Sequence, residues 1–376
     1  MLRTAEAIIP RPFRSFMQMP RPLVAMLLSL GLCSAAAAAG AAEPLESATR
    51  SLAAAYAPRL KIGAAIEPDQ LAGPDGVLLA QQFSSVVAEN AMKPARIHPQ
   101  KDNYVFAPAD AIVAFAEKHG LAIRGHTLLW GSHTPDWFWQ GDGGQPASRE
   151  RVLQRLRQHI ATVVGRYRGR VYAWDVVNEV IDPNQPSCLR NDRWLQVVGP
   201  DYLAEAFRAA HAADPQARLF INEFNTQEPA KRDCLARVVK GLLAEGVPVQ
   251  GIGHQTHISI YWPALAAIDQ SLTTFAKLGL ENQITELDMS LYQHHDYHPA
   301  LGLPQRLDLQ AERYRDLMAM VLRHPEVSAV TWWGVADDHS YLNNPPGVPG
   351  DDQPLLFGRQ QRPKPAYWAV LPQAPR

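Results

Sequence analysis

The chain has 376 residues, 47% of them hydrophobic and 19% charged, which is enough for one large globular domain or two ordinary ones and excludes a low-complexity or fibrous protein. A formal net charge of −1, with no long run of one sign, leaves no electrostatic footprint for nucleic acid. Of three cysteines, two remain if the first is removed with a leader, too few for a metal framework.

The first stretch differs in kind from the rest of the chain. Arg3, Arg11, Arg14 and Arg21 precede an apolar run over 23–32, and small residues fill 34–42. That order reads as a signal peptide over 1–42, cleaved near 39–42, with Met17 or Met19 as an alternative start. An uncleaved anchor is the competing reading, since 23–42 could just span a bilayer. Lipid attachment at Cys33 is disfavoured by Leu32 immediately before it. The expectation is an exported protein, secreted or periplasmic, with no stable membrane association, whose folded domain spans 43–376.

From there strands and helices alternate. Strands are predicted to begin near Lys61, Ser85, Leu121, Val171, Arg218, Val249, Gln283 and Val327, each followed by a helical pattern. The clearest helices are expected over 110–119, 149–167, 201–213, 231–245, 265–278 and 309–323, several closed by Gly120, Pro215, Gly246, Gly279 or Pro325. Eight β-α repeats of this length predict a closed (β/α)8 TIM barrel of the α/β class, with no second domain left over. A doubly wound open sheet is the alternative, but no G-x-G-x-x-G follows the first strand.

In such a barrel the strand ends build the site, and polar residues collect there. The run Y-A-W-D-V-V-N-E-V is apolar, β-branched or aromatic until Asn178 and Glu179 arrive at its end. By simple alternation those two side chains point to opposite sides, so both serve one site only at the strand's edge. The run Q-I-T-E-L-D-M likewise delivers Glu286, with Asp288 two residues on. Glu89, Asn90 and Lys93 end the second strand, His126 and Trp130 the third, Asn222, Glu223 and Asn225 the fifth, Gln255 and His257 the sixth, Trp333 and Asp337 the eighth. Two glutamates at strand ends suggest a carboxylate pair. Fixed hydrogen-bonding groups beside broad aromatic faces describe a site for sugar hydroxyls and pyranose faces. Glu223 and Asp337 read as structural groups.

Each residue alone has an ordinary structural explanation: an ion-pair glutamate, a core histidine, a packed tryptophan. Only the constellation argues for chemistry. A metal centre is disfavoured despite 13 histidines, because His254 and His257 lie three apart on a strand and face opposite ways, while H-E-x-x-H and H-x-H are absent. His294, His295 and His298 cluster in a polar loop and give weak support at best. A serine nucleophile lacks its G-x-S-x-G elbow. No cofactor is expected.

Six motifs in order, A-E-N-A-M-K, R-G-H-T-L-L-W, W-D-V-V-N-E, G-I-G-H-Q-T-H, I-T-E-L-D and W-W-G-V-A-D, together with P-L-L-F and P-K-P-A-Y near the end, resemble those of the glycoside hydrolase family 10 endo-β-1,4-xylanases. The resemblance covers essentially all of the chain after the leader. It implies a retaining endo-xylanase acting on xylan and xylo-oligosaccharides as a monomer. Glu179 would be the acid/base, Glu286 the nucleophile, and His257 the group that keeps Glu286 ionised and oriented. Asn178 would bond the 2-hydroxyl of the sugar being cleaved, and Glu89, Asn90, Lys93, His126, Trp130, Gln255 and Trp333 would line the subsites on its non-reducing side. The chain departs from the family pattern at Pro94, where an aromatic is usual, at Gly131, where a histidine is common, at His133 in place of glutamine, and at Tyr341 in place of a second tryptophan. These put binding strength and strictness against glucose-based chains in question, and leave the two glutamates untouched. A related barrel glycanase acting on cellulose or mannan, and a barrel that binds polysaccharide without cutting it, are the competing functions.

Cys188 follows the fourth strand and Cys234 opens the helix after the fifth. Neighbouring strands bring these loops together, so a disulfide between them is expected, against the alternative of two separate thiols.

Overall fold

The computed structural model describes residues 51–293, 299–343 and 350–372. Residues 1–42, expected above to be a leader, with Cys33 among them, and the histidines at 294, 295 and 298 lie outside them. Nine strand segments follow one another: β1 Lys61–Ile66, β2 Ser85–Ala88, β3 Ala122–Trp130, β4 Val171–Asn178, β5 Arg218–Glu223, β6 Gly251–His254, β7 His257–Ser259, β8 Glu281–Ser290 and β9 Val327–Trp332. Each pairs in parallel with its neighbours, and β9 pairs with β1, which closes the sheet. Because β6 and β7 both pair with β8, they form one interrupted stave, and the result is the predicted eight-stave barrel. The break falls at Gln255 and Thr256, and the left-handed φ of 60° at Thr256 interrupts the ladder there.

Eight helices pack outside, one after each stave: Pro74–Gln82, Ala107–His119, Arg149–Arg166, Tyr202–Ala213, Pro229–Ala244, Leu265–Ala276, Leu303–Val321 and Pro365–Val370. Their apolar stripes meet the outward faces of the strands in one core that takes in Trp174, Phe207, Tyr314 and Trp332. The helix predicted from 309 begins at Leu303, because Gly302 and Pro304 start it a turn and a half sooner. Among the described residues no helix is long and apolar enough to cross a membrane.

The inside of the barrel carries a buried polar column beneath the rim. Arg124 bonds Asp175 through Nε (3.2 Å) and through Nη2, and also reaches Gln283; Asp175 meets His126 Nδ1 at 3.0 Å. Stripping one member would leave an uncompensated buried charge, so the column holds β3, β4 and β8 at fixed heights. Register does the rest. Trp130 is level with Asn178, Asn178 with Asn222, and His257 with Asp288.

Candidate active site

A cavity of about 470 Å³ opens at the carboxyl ends of the strands. The structure brings together every side chain expected there: Glu89, Asn90, Lys93, His126, Trp130, Asn178, Glu179, Gln255, His257, Glu286, Trp333 and Tyr341, joined by Phe224 and Asn225. Asn178 and Glu179 are not separated by the pleat. The strand ends at Asn178, and Glu179 takes φ 56°, a left-handed turn that swings its carboxyl back over the cavity. Asn225, φ 53°, does the same after β5. With Thr256, three non-glycine residues around one cavity hold backbone conformations that cost of order 1–3 kcal/mol each and persist only where the surroundings impose them.

The two glutamates sit in different surroundings. Glu179 is half-buried; Trp130 Nε1 donates to its Oε2 at 3.2 Å and Gln255 Nε2 to its Oε1 at 3.2 Å, so both oxygens are fixed. Arg190 Nε donates to its carbonyl at 2.7 Å, pinning the turn from behind. Glu286 is buried. Its Oε1 accepts from Asn222 Nδ2 at 2.7 Å and its Oε2 lies 3.2 Å from His257 Nε2. The other imidazole nitrogen meets Asp288 Oδ2 at 2.7 Å. An imidazole with an acceptor at each nitrogen is satisfied only as the cation. Burial opposes that charge, but Asp288 and then Glu286 outweigh it and raise His257 to about 10. Burial likewise pushes Glu286 up, and the His257 hydrogen bond, the His126 ring and the Asn222 amide together leave it below the usual range.

On the opposite flank, Asn90 Oδ1 accepts from Lys93 Nζ at 2.8 Å, and its amide serves Glu67 and, at 3.5 Å, Glu89. Burial, with Glu67 next, raises Glu89 to about 7. Lys93 stands 5.1 Å from the Trp130 ring centre and 5.9 Å from that of Trp333. Trp333 packs with Ala65, Val87 and Tyr341, and the Tyr341 hydroxyl comes within 3.3 Å of His257 Nδ1.

Asn222, Phe224 and Asn225 belong to the site although Asn222 and Asn225 read only as strand-end polar groups and Phe224 as nothing in particular. Asn222 links the two halves, bonding Glu286 and Asn178 with one amide while Thr285 Oγ1 donates to its oxygen at 2.7 Å. Glu223 lies outside the cavity lining. It is fully buried, 3.0 Å from Lys231 Nζ, and accepts from Ile181 N at 2.9 Å, which ties the turn after Glu179 to the next stave. Asp337 holds Lys364 at 2.9 Å. Cys188 and Cys234 are joined in a disulfide that fastens the same turn to the Pro229–Ala244 helix. Gly131 is accounted for: a Cβ there would stand 2.2 Å from Asp192 Oδ2, and Asp192 caps the Arg193–Val197 helix through Trp194 N and Leu195 N.

His254 is sealed away from the cavity between Thr226 (2.7 Å) and Asn282 (2.9 Å), so it shares no ligand with His257. Among the described residues, Asp75, Asp338 and His339 bring ligand atoms within 4.8 Å of one another, but Gln70 and Gln361 already bond these acids. The cavity offers carboxylates, amides and one cationic imidazole, a set suited to moving protons and attacking carbon.

The sequence model described as glycosyl hydrolase family 10 matches residues 50–373. An endo-1,4-beta-xylanase B of Paenibacillus barcinonensis is 41% identical over 326 residues, 86% of this chain and 98% of that one. A thermostable celloxylanase of Thermoclostridium stercorarium is 44% identical over 336 residues, 85% of this chain and 87% of that protein. Among solved structures, xylanase B from Clostridium stercorarium F9 superposes with a TM-score of 0.82 at 44% identity, covering 86% of this chain and 99% of that one.

Proposed function

The chain belongs to glycosyl hydrolase family 10, and from that premise we propose that it is an endo-1,4-β-xylanase that cuts internal bonds of xylan with retention at the anomeric carbon. The observation that carries the reading is the unequal treatment of the two glutamates: Glu286 is gripped by a cationic imidazole and Glu179 is not.

A group kept ionised and buried beside the cleavage point is a nucleophile. Glu286 attacks the anomeric carbon, and Glu179 gives its proton to the departing glycosidic oxygen. Retention requires carboxyl groups about 5 to 5.5 Å apart, too close to seat water between sugar and base, so the attacking atom in the first step is Glu286 itself. The glycosyl ester removes the charge on Glu286. Glu179, now deprotonated, takes a proton from water, which displaces the ester. Asn178, the last residue of the strand that leads into Glu179 and held by Asn222, is placed to bond the 2-hydroxyl. Glu89, Asn90, Lys93, Trp130 and Trp333 bind the sugars beyond it.

The substrate is xylan and its oligosaccharides, met outside the cytoplasm by a monomer released from its leader; the charged and apolar pattern of residues 1–42 supports export. A second reading, activity that extends to glucose-based chains, is favoured by Tyr341 at a position where tryptophan is usual and by the celloxylanase among the relatives. Incubating the protein with xylan, soluble cellulose and mannan, and following the anomeric form of the first products, tests both. Release of β-anomers from xylan supports the proposal; α-anomers, or tight xylan binding without new reducing ends, overturns it.

A further inference from the structure

His133 lies just past the end of β3, in the short turn Gly131–His133, and it makes a contact that neither its position in the sequence nor the reaction explains. Its ring is stacked on Trp130, centroids 4.0 Å apart and planes 19° from parallel. Trp130 is the residue whose indole N–H holds Glu179 Oε2 at 3.2 Å. The turn that carries His133 cannot drift. Thr134 Oγ1 donates to the Trp130 carbonyl at 2.8 Å and accepts from the buried Trp194 Nε1 at 2.9 Å.

His133 Nδ1 is buried and has no hydrogen-bond partner among the described residues. A buried nitrogen left unpaired is a cost, so the value of the side chain lies in its flat face. We propose that His133 is a positioning residue for catalysis: its ring backs the Trp130 indole and so fixes the orientation of the Glu179 carboxyl that delivers the proton to the leaving oxygen. The inference rests on the assignment of Glu179 as the acid. A neutral ring suits the role, since Lys93 already stands over Trp130. Burial, with Lys93 next, pushes His133 down to about 4, which keeps a second cation away from the indole near neutral pH.

The mechanism separates this role from ordinary sugar binding. Glycosyl transfer to Glu286 from xylan needs the proton; transfer from a dinitrophenyl xylobioside, whose phenolate leaves unaided, does not. In His133→Ala, kcat/KM on xylan should fall about tenfold, a part of the ~10²–10⁴ that acid catalysis supplies, while kcat/KM on the dinitrophenyl substrate stays within about twofold. His133→Phe, which restores a flat ring without the imidazole nitrogens, should recover the xylan rate. Equal losses on both substrates would show that His133 acts through sugar binding, its own or that of Trp130, and not through the Glu179 proton, and a loss in His133→Phe as deep as in His133→Ala would show that the face is not what matters; either result overturns the proposal. Should the wild-type protein cleave neither substrate, the functional assignment is what has failed. The Trp130 indole N–H resonance, assigned with Trp130→Phe, still decides the contact: displacement in His133→Ala with recovery in His133→Phe supports it, and no displacement overturns it.

Discussion

His257 Nε2 lies 3.2 Å from Glu286 Oε2 while its Nδ1 lies 2.7 Å from Asp288 Oδ2, so one imidazolium bridges two buried carboxylates. The bridge ties chemistry to stability, because the same proton that keeps Glu286 anionic also holds β7 to β8. His257 is raised from 6.5 to about 10. A folded-state value above the unfolded one means the folded protein holds the proton more tightly. The stabilisation is therefore fully present below about pH 6.5, declines as pH rises, and is gone above about 10. We expect the urea midpoint of the wild type to fall between pH 7 and 10 more steeply than that of His257→Gln, whose side chain does not titrate. Parallel midpoint curves for the two proteins would show that the bridge is not protonated in the way the geometry requires.

Legibility in the sequence divides along the same line between residue pattern and local backbone. The staves were legible because buried strands carry apolar runs, and the site because polar residues interrupt those runs at their ends. What could not be read was the direction of Glu179. Alternation sets it opposite Asn178, and a left-handed φ at a glutamate has no residue-type signature, unlike one at glycine. The gap in the sixth stave at Thr256 was hidden for the same reason. Phe224 gave no signal because an aromatic after a strand is ordinary core; the nearby asparagines, Asn222 and Asn225, were the available hint.

The disulfide between Cys188 and Cys234 closes a loop with a sequence separation of 46, which in the chain-entropy model corresponds to roughly 3 to 4 kcal/mol of stabilisation. Its position matters as much as its size. The bonded turn also carries Arg190, which holds the Glu179 carbonyl, and Ile181, which is held by Glu223. Cys188→Ser with Cys234→Ser should lower unfolding stability by about that amount and lower activity on xylan well below the unfolding midpoint. Free-thiol titration of the unreduced, unfolded protein should find no thiol at either position. Two thiols would rule the bond out.

Tyr341 stands edge-on to His257, ring centroids 5.6 Å apart at 71°, and packs in one cluster with Trp333. A phenol is smaller than an indole and leaves more room beside the reacting sugar. Detectable hydrolysis of an aryl cellobioside should therefore accompany the preferred hydrolysis of the xylobioside. A methylene-sized difference in a pocket is worth only about 1 to 3 kcal/mol, so the preference should be finite and should grow in Tyr341→Trp. The ratio of kcat/KM values is the measurement, since the absolute rates also feel the lost hydroxyl near His257. An unchanged ratio would show that selectivity is set elsewhere.

On the proposed double displacement, Glu179 and Glu286 are separated most sharply by leaving group, because only one of the two steps they would share needs an acid. Without Glu179 an alkoxide must depart from xylan unassisted, and activity on the polymer should drop by on the order of 10² to 10⁴. An activated aryl xylobioside needs little protonation. In Glu179→Ala the glycosyl ester on Glu286 should still form, but its hydrolysis lacks a base, so a burst of phenol should precede a slow steady rate. Azide requires no deprotonation and should restore turnover, leaving by the retained face as the β-glycosyl azide. Glu286→Ala removes the attacking atom. It should give no burst with the same substrate, and any azide product should be α, since attack then comes directly from the space Glu286 vacated. The surroundings argue for this assignment, as Glu286 is the carboxylate that His257 and Asn222 hold ionised. A burst in Glu286→Ala and none in Glu179→Ala would reverse the two roles and leave His257 beside the acid, where a fixed cation would hinder proton delivery.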